Sequence, residues 1–92
     1  MNSKRELGQD ARFLPVGEDG RPTAVKVYAI RADGHIARIG LHDGDAILSI
    51  NGRRISDHSF GVIRALYLEH RLTIRIRRDG EQRVLDWQAE AG

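Results

Sequence analysis

Asp57-His58-Ser59 places an acid, a base and a nucleophile in one tripeptide. An acyl-transfer triad needs the acid to hold the imidazole while the imidazole faces the hydroxyl. Neighbours on a helix point about 100° apart, so that relay cannot form within three consecutive residues. The local reading is simpler: Ser56 or Asp57 caps a helix, and His58 sits in its first turn. The four histidines, His35, His42, His58 and His70, have no His-x-x-x-His or comparable ligand spacing, and there is no cysteine to supply a thiolate. Asp43-Gly44-Asp45 is too short to provide the oxygen ligands of a calcium loop. No glycine pattern matches a phosphate-cradling loop that opens a helix. The residues therefore argue against an enzyme, and no catalytic residue, metal or cofactor is expected. Arg75, Arg77 and Arg78 form a basic face on an expected strand. It suits either an acidic partner surface or a strand edge protected by charge from aggregation, the second being the more general need.

Such residues need a scaffold, and 92 residues allow one small domain, burying about 60–65% of the surface its unfolded chain exposes. A hydrophobic content of 40% with 30% charged residues is that of a globular domain, not a disordered segment. No apolar run approaches the roughly 20 residues of a membrane-spanning helix. The net charge is only +2, the arginines are dispersed, and aromatics are 5% of residues and do not alternate with them. Nucleic acid is not an expected partner on that pattern.

Along the chain, residues 1–10 read as a flexible lead-in, 11–88 as the domain and 89–92 as a tail. Residues 11–16 are apolar enough for a strand, which Pro15 confines to an edge or bulge. Residues 17–22 are a turn by composition, and 24–30 alternate as a half-buried strand. A short helix over 35–39 ends at Gly40, and 46–50 form a strand before the tight-turn pair Asn51-Gly52. A longer helix is expected over 57–69, then a strand with one wet face over 72–77, a turn at Asp79-Gly80 and a last strand over 82–87. This order describes a small, mostly antiparallel α+β domain.

The stretch Gly40 to Gly52, GLHDGDAILSING, ties these elements together. Gly40 stops the short helix, Leu41 anchors it in the core, Gly44 reverses the chain, and Asp45 can accept loop N–H groups before the strand. The pattern resembles the bacterial PDZ signature G-L-x-x-G-D-x-I-x-x-I-N-G, complete here at Gly40, Leu41, Gly44, Asp45, Ile47, Ile50, Asn51 and Gly52. The resemblance spans residues 11–87. It implies a partly open β-barrel or sandwich of five to six strands with one short and one longer helix. Arg12, Phe13, Pro15, Asp19, Gly20, Pro22, Ile30 and Arg31 are further similar to the PDZ region of the type II secretion system (general secretion pathway) C protein. That family's usual Pro-Gly-Ser after the arginine is replaced by Ala32-Asp33-Gly34.

This resemblance implies a non-enzymatic protein-interaction domain, the periplasmic part of a bacterial inner-membrane protein anchored upstream. Its partners would be secreted exoproteins, the secretin or other secretion-system components, with no small-molecule substrate and no cofactor. The alternative it leaves is a regulatory, substrate-presenting PDZ domain of a periplasmic serine protease. A PDZ groove would lie between the strand at 11–16 and the helix at 57–69, where an extended peptide adds a strand. A helix with Ser59, Val62 and Leu66 toward the core keeps Arg64 out of it and puts Phe60, Ile63 and Tyr67 beside the groove, opposite Phe13, Leu14 and Val16. Only Leu7-Gly8 stands near the expected place of a carboxylate-binding loop. Internal segments or folded surfaces therefore suit the groove as well as a C-terminal peptide does.

Overall fold

The computed structural model describes residues 10–57 and 59–90, with Ser59 and Phe60 described by their backbone alone. The lead-in over 1–9, the Leu7-Gly8 pair, His58 and the last two tail residues lie outside the described residues, as do the side chains of Ser59 and Phe60. The elements run β1 (Arg12–Glu18), β2 (Arg21–Tyr28), α1 (His35–Ile39), β3 (Ala46–Ile50), β4 (Arg53–Arg54), α2 (Ser59–Leu68), β5 (Arg71–Arg78) and β6 (Glu81–Gln88). All six strands pair antiparallel in one open sheet, ordered β1-β2-β3-β5-β6, with β4 added to β3.

Three two-residue loops fold this sheet: Asp19-Gly20 joins β1 to β2, Asn51-Gly52 joins β3 to β4, and Asp79-Gly80 joins β5 to β6. Both residues of each pair have positive φ. The right-handed twist of paired strands demands that geometry, and Asn or Asp followed by Gly adopts it at least cost. Asn51 does more than turn the chain. Its Oδ1 accepts the Thr73 N–H at 2.8 Å and its Nδ2 donates to the Arg71 carbonyl at 2.9 Å, fastening the β3–β4 turn to β5. β4, two residues long, carries no period and was not among the expected elements.

β1 is an edge strand with a bulge between Val16 and Gly17, so Pro15 sits where a missing donor is tolerated. β5 alternates as expected, with Leu72, Ile74 and Ile76 buried and Thr73, Arg75 and Arg77 exposed. It is an interior strand, though, paired to β3 on one side and β6 on the other. Edge protection therefore does not explain its arginines. Arg78 also leaves the basic face, because the alternation turns it to the inner side, where it meets Asp45.

α1 ends at Gly40, whose φ of 107° lies in the region that favours glycine and whose N–H donates to the Ala37 carbonyl. Leu41 follows it into a core built from both helices and the inner sheet face, with Ile36, Ile47, Val62, Leu66 and Ile74 at its centre. α2 begins at Ser59, later than expected; Asp57 belongs to the preceding turn, its N–H donating to the Arg54 carbonyl.

Candidate binding groove

Among the described residues no strand pairs with the outer side of β1, which leaves that side's backbone N–H and C=O groups open. The register sorts the side chains of β1 by face. Phe13 and Pro15 stand opposite the fully buried Val27 and Val25, on the side where α2 lies. The Phe13 and Tyr67 rings meet edge to face, with centroids 6.4 Å apart at 82°. β1 and α2 therefore flank one trough whose floor is joined by these two rings.

Tyr67 is held from behind. Its hydroxyl donates to Asp10 Oδ1 at 2.7 Å, while Asp10 Oδ2 accepts the Ile36 N–H at 3.1 Å and the Asp10 carbonyl accepts the Arg31 N–H at 2.8 Å. Burial would push the Asp10 carboxyl up; hydrogen bonds from Tyr67 and from the Ile36 and His35 backbone outweigh it and hold the group below its ordinary value. Asp10, which the expected boundary leaves in the lead-in, thus links β1, α1 and α2. On the other side of Tyr67 the His35 ring packs at 5.6 Å, and Trp87 of β6 meets His35 edge-on at 5.3 Å. His35 Nε2 donates to the Leu66 carbonyl near the C-terminal end of α2. Four rings, Phe13, Tyr67, His35 and Trp87, thereby run from one edge strand to the other past the C-terminal end of α2.

The loop between α1 and β3 is fixed with equal care. Asp45 is 1% exposed, accepts the His42 N–H at 2.8 Å, and takes both Nε and Nη2 of Arg78 at 2.8 and 2.7 Å. Arg78 Nη2 also reaches the Gly40 carbonyl at 3.1 Å, and its Asp45 hydrogen bonds, ahead of opposing burial, raise its pKa further. Asp43 Oδ1 accepts the Ile30 N–H at 3.0 Å. These carboxylates hold backbone in place. The arrangement offers strand pairing at β1 and apolar contact at Phe13 and Tyr67.

The shape is shared with solved structures. The PDZ domain of EpsC from Vibrio cholerae, residues 219–305, superposes with a TM-score of 0.63 at 23% identity, over 91% of this chain and 99% of that one. A longer form of the EpsC domain, residues 204–305, gives 0.65 at 24% over 90% and 81% of the two chains. The HtrA3 PDZ domain bound to a phage-derived ligand (FGRWV) gives 0.68 at 24% over 95% and 86%. The fold is that of a PDZ domain. No protein-family model matches the sequence, and no curated protein matches it.

Within this PDZ fold the expected groove residues separate. Phe13 and Tyr67 come together as described. Ile63 lies on the same flank of α2 but is 6% exposed and belongs to the core. Leu14 and Val16 pair with Lys26 and Ala24 and lie on the opposite face of the β1–β2 hairpin, because successive strand residues alternate. They do not line the trough. Phe60 stands seven residues before Tyr67, on the same flank of a regular helix; its side chain lies outside the described residues. Asp10 and His35 were missed. Asp10 adjoins a stretch without periodicity, and only the tertiary fold brings His35 to Tyr67.

Proposed function

We propose that this chain is a non-enzymatic protein-interaction domain that takes an extended segment of a partner as an added strand along β1. One observation carries the reading: an edge strand that no strand among the described residues covers, beside a helix, with Phe13 and Tyr67 in contact between them. Main-chain pairing would supply affinity there, and the α2 flank at Phe60, Ile63 and Tyr67 would supply selectivity. The interaction unit is residues 11–88, with Asp10 as its brace.

The partners proposed are secreted exoproteins, the secretin or other secretion-system components, met in the periplasm by a domain anchored in the inner membrane through an upstream segment. Supporting this are the Arg12-Phe13-x-Pro15 and Asp19-Gly20-x-Pro22 motifs and the likeness to EpsC. The second reading is a substrate-presenting domain of a periplasmic serine protease, supported by the comparable likeness to the peptide-bound HtrA3 domain. The full-length gene separates the two: a single membrane span upstream supports secretion, and a trypsin-like domain upstream supports the protease.

The groove is tested by Phe60→Glu, which sets an uncompensated carboxylate against an apolar ligand side chain. Affinity for a secretin or exoprotein fragment should fall by at least about tenfold, with the thermal midpoint retained. A folded variant with unchanged affinity would contradict the groove.

A further inference from the structure

Two rows of side chains cross the outer face of the sheet, the face turned away from the core. Cross-strand partners point the same way, so the register defines them. One row runs Lys26, Ala46, Arg77 and Gln82 over β2, β3, β5 and β6. The other runs Arg54, Ser49, Arg75 and Val84 over β4, β3, β5 and β6. At the strand spacing of about 4.8 Å each row spans roughly 14 Å. Four cations thus frame two small residues, Ala46 and Ser49, which are buried at the bottom of the frame.

Little among the described residues neutralises this face. Among the described residues no carboxylate lies within ion-pair distance of Lys26, Arg75 or Arg77. Arg54 has Asp57 at 3.8 Å, and Asp86, at the margin, accepts the Thr73 hydroxyl. The general reason for placing charge on a strand, protection of an open edge, does not apply, because β5 is paired on both sides. Three of the four exposed large hydrophobics of the described residues, Leu14, Tyr28 and Val84, stand on this same outer face, at its two margins.

We propose that the outer face is a second docking surface, and that it takes an acidic segment of a partner protein with apolar residues interleaved. Arginine binds carboxylate through a planar fork, and arginines beside isolated apolar groups are the composition of protein interfaces. A lipid surface would need apolar groups standing together at one level, whereas here they sit on opposite margins with the cations between them. Single-stranded nucleic acid would need several aromatic platforms among the cations, whereas among the described residues this face offers Tyr28 alone, at its margin.

The test is NMR titration of the chain with a synthetic peptide of alternating glutamate and leucine. Phosphatidylglycerol vesicles and a single-stranded oligonucleotide are run alongside. Amide shifts at Lys26, Ala46, Ser49, Arg75 and Arg77, with α2 silent, are expected for the peptide. The double variant Arg75→Glu/Arg77→Glu should lose at least about tenfold in affinity, and Phe60→Glu should lose none. If charge reversal costs the fold, Arg75→Gln/Arg77→Gln removes the charge without adding repulsion and should weaken binding as well. Tighter binding of vesicles or oligonucleotide at the same amides, shifts confined to β1 and α2, or a folded double variant with full affinity would each overturn the proposal.

Discussion

Asp45 is a charged group withdrawn almost completely from water, and Arg78, whose side chain is 18% exposed, is what makes that tolerable. The fork-to-carboxylate geometry matters because a buried charge that loses its partner keeps its desolvation cost without the attraction. Arg78→Ala should therefore destabilise the fold by about 3 kcal/mol or more. A chain of this length holds roughly 5–14 kcal/mol in total, so the loss should be plain in a urea denaturation midpoint. Arg78→Lys, which keeps the charge but not the fork, should fall between the two. An unchanged midpoint in Arg78→Ala would show that the pair does not form in solution. The signal was present in the sequence: position 78 has the same parity as Leu72, Ile74 and Ile76, which places it on the inner face. Adjacency in the chain grouped Arg78 with Arg77, and alternation separates them.

At the scale of elements, what was legible is what local chemistry controls. Asn or Asp followed by Gly marked the turns after Ile50 and Arg78 and fell within the expected turn over 17–22, and Gly40 ended α1 where its conformational freedom is used. The two-residue β4 left no pattern to read, and α2 starts beyond both capping candidates. The groove was half legible for the same reason. Helical spacing put Tyr67 on the flank facing β1, but strand parity, not apolar character, decides that Phe13 faces α2 while Leu14 and Val16 do not. Long-range braces such as Asp10 leave no local trace. Its carboxyl is held below the ordinary value in the folded state. A depressed folded value means the stabilisation is complete above the unfolded value, near 3.9, and is lost as pH falls through the folded one. The gap in thermal midpoint between the wild type and Asp10→Asn should accordingly be widest near neutral pH and close in strong acid. A gap that stays constant with pH would remove the charge of Asp10 from the account.

Taken whole, the molecule has one sheet whose two end strands among the described residues are β1 and β6; β1 has α2 and the Phe13–Tyr67 contact beside it, and β6 has α1 and the His35–Trp87 contact. The outer face carries Lys26, Arg75 and Arg77, which have no ion pair among the described residues, on the side away from the core, so the groove and the basic surface can be altered separately. Strand addition at β1 is the claim on which the functional reading depends, and β6 serves as its internal control. Amide shift mapping of the chain titrated with a secretin or exoprotein fragment tests it directly. The expected result is a continuous run of perturbed amides along β1, from Arg12 to Glu18, together with the Phe60–Tyr67 flank of α2, while β6 stays silent. Perturbations that follow β6, or that avoid both β1 and α2, would contradict it.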